Sequence, residues 1–266
     1  MVYSQPIVDI GTRETVDEEL LVRLRLVDTD EILQPSQFLP QCEQHKLMPV
    51  IDRYMIGRAI ELARTGRRVS VNITGQTITN TAVMGQIIEL LTVAGPQVTA
   101  NITFEITETT ALASPAIAKA FSKHMRDLGS RVALDDFGTG YGTLTELRHL
   151  HLHELKIDQS FVHDVLGDPD DERVVATVVS IAQAYGLSTV AEGVESEAIL
   201  KKIGGVGGTP SAWVPVRQTQ AHPVVIQSGG RAMAPWHNGH RERACRLRAH
   251  DADYLSSRIE TTVTTT

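Results

Sequence analysis

Short apolar runs, each closed by an acid or an amide and each followed by a helical stretch, recur along most of this chain, and few folds satisfy them. Arg131-Val132-Ala133-Leu134 leads into Asp135 and Asp136, Glu154-Leu155-Lys156-Ile157 into Asp158, and Ser188-Thr189-Val190-Ala191 into Glu192. Earlier, Asn101-Ile102-Thr103-Phe104 leads into Glu105 and Val69-Ser70-Val71 into Asn72. Alternation of strand and helix signals a parallel sheet. In a closed β/α barrel the C-terminal strand ends meet on one face, and that face holds the chemistry. Carboxylates gathered there repel one another unless cations stand between them. The pattern points to a divalent-metal site.

The remaining elements follow from periodicity. Residues 2–9 and 19–27 read as strands that make a hairpin-like start. A helix runs from Pro35 to about His45, with Ser36 as its cap. Ile51, Met55, Ile56, Ala59, Ile60 and Ala63 recur at helical spacing and predict a helix over 49–65. Strand 68–73, helix 80–94, strand 101–106, helix 113–128, strand 131–135, helix 143–150, strand 154–157, helix 171–185, strand 188–192 and helix 195–203 complete the series. Pro169-Asp170-Asp171-Glu172 gives the longest late helix an acidic first turn, which suits its dipole.

The expected fold is α/β, a modified TIM-type barrel over residues 2–203. Such a barrel closes with eight strands, and this series supplies seven. The eighth belongs near 205–212, where the text is GGVGGTPS and carries no β-branched run. From Gly204 onward the periodicity stops, so residues 204–266 are expected to form an irregular, poorly ordered tail. A shifted reading frame or an eroded end accounts for such text.

Composition narrows the partners. The formal charge of −7 argues against DNA or RNA. It hides a split: residues 1–203 hold 18 basic and 28 acidic residues, whereas 204–266 hold seven arginines, no lysine and four acids. Cys42 and Cys245 are too few for a disulfide framework or a zinc site. No apolar run reaches membrane-spanning length, and the N-terminus lacks a secretion signal, so the expected compartment is the cytoplasm.

The strand-end motifs, taken in order, resemble those of the EAL domain, a modified β/α barrel that hydrolyses cyclic di-GMP. Tyr3-Ser4-Gln5-Pro6-Ile7-Val8-Asp9 looks like the family's opening strand. Glu19-Leu20-Leu21-Val22-Arg23 fits the naming motif, with Leu20 in place of Ala. Phe38-Leu39-Pro40, Ser70-Val71-Asn72, Phe104-Glu105-Ile106-Thr107-Glu108-Thr109, Asp135-Asp136-Phe137-Gly138-Thr139-Gly140, Leu155-Lys156-Ile157-Asp158 and Ala191-Glu192-Gly193-Val194-Glu195 follow. The family's later Gln-Gly-aromatic segment and Gly-Arg-Pro do not occur after Glu195. The resemblance is expected to extend neither to the helix that usually precedes the opening strand nor to the sensory or cyclase domains that often accompany the domain.

The resemblance implies a site. Glu19, Asn72, Glu105 and Asp135 would hold one Mg²⁺ or Mn²⁺. Asp135 would also reach a second, held further by Asp136 and Glu192; hard oxygen ligands suit such ions. Lys156 matches the family's catalytic lysine, and Glu192 joins it at the reacting centre. Arg23 matches the phosphate-contacting arginine, and Gln5 joins it on the substrate side. Glu108 matches the residue that braces the Gly138-Thr139-Gly140 loop. A homodimer through helices near that loop is implied too.

Plainer readings compete. Asp158 serves equally as a cap for the helix it precedes. Arg23 alternates with Leu24 and Arg25, as in a structural ion pair. His149, His151 and His153 alternate but sit in a turn, where metal binding is not expected. The expected function is metal-dependent hydrolysis of cyclic di-GMP to linear pGpG. The alternative is an inactive module that binds cyclic di-GMP or a protein partner.

Overall fold

A computed structural model describes residues 1–26, 29–139 and 147–205, together with the backbone of 215–216 and 224–225. The chain starts with an antiparallel pair, β1 (Val2–Asp9) and β2 (Thr15–Val22). A small ribbon, β3 (Leu24–Arg25) and β4 (Ile32–Leu33), follows. Then come α1 (Pro35–Gln44), α2 (Met48–Ala63), β5 (Val69–Asn72), α3 (Gly75–Thr79), α4 (Thr81–Ala94), α5 (Pro96–Thr99) and β6 (Ile102–Thr107). Next are α6 (Glu108–Ala113), α7 (Pro115–Asp127), β7 (Arg131–Phe137), β8 (Glu154–Ile157), α8 (Gln159–His163), α9 (Pro169–Tyr185), β9 (Ser188–Ala191) and α10 (Glu197–Gly205). Two two-residue strands, β10 (Pro215–Val216) and β11 (Val224–Val225), end the series.

The strands lie in the order β1-β2-β5-β6-β7-β8-β9-β10, and β10 also pairs with β1. From β2 to β9 every pairing is parallel, whereas β1 runs antiparallel to β2. The ring is therefore a β/α barrel with a hairpin start, as expected. A strand of ordinary length at 205–212 is not among the described residues. In its place Val216 pairs with Ala191 of β9, and Pro215–Val216 pairs with Asp9 and Val8 of β1. A two-residue bridge thus stands in the place of the missing eighth strand and joins β9 to β1. β11 covers the other half of the outer edge of β1, at Tyr3 and Ser4. Of the expected irregular tail, 204–205 belong to the end of α10, and the rest, apart from these two bridges, lies outside the described residues.

Alternation along the strands sorts side chains into two sets. Val69, Val71, Ile102, Phe104, Ile106, Val132, Leu134, Leu155 and Ile157 are buried against the surrounding helices. The Phe104 ring meets Phe121 of α7 edge-on, with centroids 6.0 Å apart. The opposite set faces the lumen and is polar or small: Glu19, Ser70, Thr103, Glu105, Ala133, Glu154 and Lys156. An apolar outer shell packed on helices leaves the barrel axis for the charged groups.

Several boundaries differ from the sequence reading. The strand expected over 19–27 begins earlier and ends at Val22; Leu24 and Arg25 join the separate ribbon. Gln34, not Ser36, caps α1, and its N–H donates to Gln37 Oε1 at 2.7 Å. The helix expected over 113–128 breaks at Ser114, because Pro115 excludes a helical conformation before it. Of the helix expected over 143–150, residues 143–146 lie outside those described, and of 147–150 only Leu147 is helical.

Candidate functional site

Lys156, in the middle of β8, organises the C-terminal end of the barrel. Its Nζ stands 2.7 Å from Glu105 Oε2, 2.7 Å from Asp135 Oδ2 and 2.9 Å from Glu192 Oε1, with Glu19 Oε2 at 3.9 Å. These acids come from β6, β7, the end of β9 and β2. The lysine side chain is 1 % exposed and that of Glu105 is 0 %. Four carboxylates around one ammonium are only partly neutralised, so the cluster keeps a strong demand for positive charge.

Register explains the convergence. Glu19 pairs with Ser70 and Asn72 with Glu105, which puts successive strand ends level with one another. Asn72 Nδ2 donates to Glu19 Oε1 at 3.1 Å and fixes that carboxylate. Glu192 N–H donates to Ile157 O at 3.1 Å, extending the β9 ladder and holding Glu192 beside β8. Gly193 follows with φ of +68°, a turn that favours glycine.

At Asp135-Asp136 the chain turns sharply. Asp136 has φ of +55°, tolerated by aspartate, and its N–H donates to Asp135 Oδ1 at 3.1 Å. Single carboxylate oxygens of Asp135, Asp136 and Glu192 lie within 4.8 Å of one another. Glu108 Oε2 accepts the Gly138 N–H at 3.1 Å, and Thr139 Oγ1 donates to Asp136 O at 2.8 Å. Burial pushes the Asp135 carboxyl up to about 7 against the pull of Lys156, with Glu105 and Glu192 adding to the rise. Burial, then the Asp158 charge, raises Asp136.

The substrate-side candidates lie nearby in the fold. Gln5 pairs with Glu19 across β1 and β2, half-buried on the same face of the sheet. Arg23 follows the end of β2, with its guanidinium carbon 5.5 Å from the Tyr3 ring centroid and Nη1 donating to Val22 O at 2.9 Å. The Tyr3 ring gives Arg23 an aromatic platform, and among the described residues Arg23 forms no salt bridge. Asp158 caps α8, accepting the Ser160 N–H at 2.9 Å, while its charge also reaches Asp136. The histidines separate: His151 meets Arg126 at 2.9 Å, and His153 Nδ1 accepts the Val132 N–H at 3.2 Å.

One supporting group escaped the sequence reading. Asp52 of α2 is buried, and its Oδ2 accepts from Thr74 N at 2.8 Å, Thr74 Oγ1 at 2.8 Å and Thr77 Oγ1 at 2.6 Å. This clamps the turn immediately after Asn72. Its signal was an acid on the buried stripe of α2, three residues before Met55 and four before Ile56.

The donors that converge here are carboxylates and one amide, the oxygen chemistry that Mg²⁺-like cations take. The residues present therefore fit a divalent ion. A family model described as EAL domain matches residues 1–207. The chain belongs to the EAL domain family. It is 30% identical over 211 residues to the cyclic di-GMP phosphodiesterase PdeF of Escherichia coli, covering 77% of this chain and 28% of that protein. It is 29% identical over 214 residues to the cyclic di-GMP phosphodiesterase PdeB of Shewanella oneidensis, covering 78% and 25%. This EAL domain thus spans about a quarter of the length of those relatives. The PaMucR phosphodiesterase in complex with c-di-GMP superposes with a TM-score of 0.71 at 26% identity, covering 81% of this chain and 92% of that one. Among the described residues, no helix is long and apolar enough to cross a membrane.

Proposed function

We propose that this EAL domain hydrolyses cyclic di-GMP to linear pGpG with the aid of bound Mg²⁺ or Mn²⁺, in the cytoplasm. The observation that carries the reading is the meeting of Glu19, Asn72, Glu105, Asp135 and Glu192 at one end of the barrel around Lys156. The relatives named as cyclic di-GMP phosphodiesterases support it.

Glu19, Asn72, Glu105 and Asp135 would hold one cation, and Asp135, Asp136 and Glu192 a second. Such ions lower the pKa of a bound water and offset charge on the phosphoryl oxygens. The protein's own groups do the rest. Asn72 restrains the Glu19 carboxylate, so a ligand is aimed before a substrate arrives. Glu108 holds the turn that carries Asp135 and Asp136. Lys156 brings a positive charge to the reacting centre, where negative charge grows. Arg23, steadied over Tyr3, supplies a planar fork for a phosphate, and Gln5 lies beside Glu19 on the same sheet face. Self-association through helices near the Gly138 turn belongs to the same reading, and sedimentation with and without cyclic di-GMP measures it.

The departure from the family pattern after Glu195 favours one rival, a module that binds the dinucleotide without cleaving it. Purified protein incubated with cyclic di-GMP and Mn²⁺ separates the two by chromatography of the products. The expected result is pGpG, lost in chelator and lost again in Glu19→Ala. Binding of the dinucleotide with no linear product would refute hydrolysis.

A further inference from the structure

Lys156 and a divalent cation compete for the same oxygens. An ammonium group has three protons to give, and three carboxylate oxygens surround Nζ, from Glu105, Asp135 and Glu192, at 2.7, 2.7 and 2.9 Å. Those acids belong to both proposed half-sites: Glu105 to the first, Glu192 to the second, Asp135 to the two together. An Mg²⁺-like ion binds carboxylate oxygens at about 2.1 Å. An ion taking Glu105 Oε2 and Asp135 Oδ2 as ligands would draw on two oxygens that Nζ already holds. Two cations held by the same oxygens beside the buried Glu105 repel strongly.

We infer that Lys156 is a built-in, displaceable counter-ion: it holds the acidic strand ends together, and a divalent cation can occupy the site only by driving Nζ off Glu105 and Asp135. This rests on the reading of the site as a metal centre and adds a role for the lysine that precedes the reaction. The fold is preorganised by a side chain, and the lysine becomes available to substrate once the ligands have a stronger cation. Lys156 therefore sets how tightly metal binds as well as serving catalysis.

The test uses Lys156→Met, which keeps most of the apolar side chain and removes its charge. Without the ammonium, the carboxylates face one another uncompensated. In chelator the variant is expected to melt about 5–10 °C below the wild type, and Mg²⁺ is expected to recover most of that loss. Its dissociation constant for Mn²⁺, measured by calorimetry, is expected to fall about ten-fold, since a competing charge has gone. A variant that melts with the wild type in chelator and binds Mn²⁺ no more tightly overturns the inference. A second measurement needs no variant. In wild-type protein labelled with ¹⁵N-lysine, the Lys156 Nζ resonance is expected to shift in proportion to bound Mg²⁺. A resonance unmoved at saturation overturns the inference even if Lys156→Met fails to fold. Hydrolysis with an unmoved resonance refutes only the displacement; a shifted resonance without pGpG refutes only the proposed reaction.

Discussion

Glu108 Oε2 accepts the backbone N–H of Gly138 at 3.1 Å and so ties the first turn of α6 to the turn that carries Asp135 and Asp136. Glu108 is itself buried, and Gly138 has φ of +102°, a conformation the contact helps to hold. Glu108→Ala leaves the Gly138 N–H without this acceptor, at a cost of about 1 kcal/mol. The larger effect falls on the site. We expect hydrolysis of cyclic di-GMP to fall about ten-fold or more, while urea denaturation shows a folded protein. Unaltered turnover in Glu108→Ala would show that the turn keeps its shape unaided.

Gly193 gives a sharper case of backbone control. A Cβ built there would lie 2.8 Å from Gln159 Cβ, and φ is +68°. Gln159 opens α8, so it yields only by moving that helix. Gly193→Ala is expected to destabilise by about 2 kcal/mol and to shift Glu192, which precedes it. Thermal melting reads the first effect, and Mn²⁺ calorimetry, with weaker binding expected, reads the second.

Asp52 acts on the site through Asn72. Its Oδ2 serves three donors around Thr74 and Thr77. Asp52→Ala leaves those buried donors without their acceptor and is expected to cost about 3 kcal/mol. Because the freed turn begins two residues after Asn72, affinity for Mn²⁺ should drop as well. A variant that loses stability but binds Mn²⁺ like the wild type would confine Asp52 to the scaffold.

The strand ends were legible because an acid after a β-branched run is costly unless its position has a use. Singly, Glu105, Asp135 and Glu192 each read as a cap or a solvated charge; their recurrence at successive strand ends marked them, and register brings them together. Lys156 was legible only as a matched segment. Its contacts join strands remote in sequence, and no local pattern encodes them. Asp52 was hidden because a single acid on an amphipathic helix reads as one more polar residue until its three donors are seen. The bridge at Pro215–Val216 was beyond pattern reading, since two residues have no period. The break at Ser114 was readable from Ser114-Pro115, but the expected helix began at Ala113 and most of α6 lay outside any expected element.

Asp17 makes the stability of the barrel depend on pH. It precedes Glu19 by two residues on the lumen face of β2, where its Oδ1 accepts the Glu18 N–H at 2.7 Å and the Ser70 hydroxyl at 3.4 Å. Burial, followed by the Glu154 charge, raises its carboxyl from 3.8 to about 7. Between those values the folded protein keeps a proton that the unfolded chain has released. Stability attributable to this group is therefore full below about pH 4, falls as pH rises toward 7 and is level beyond. Asp17→Asn retains an oxygen acceptor and abolishes the ionisation. Relative to wild type, the variant should gain stability as pH increases, by about 2 kcal/mol between pH 5 and pH 8. Urea denaturation at both pH values measures the difference. An advantage of equal size at the two would mean that Asp17 ionises normally inside the barrel.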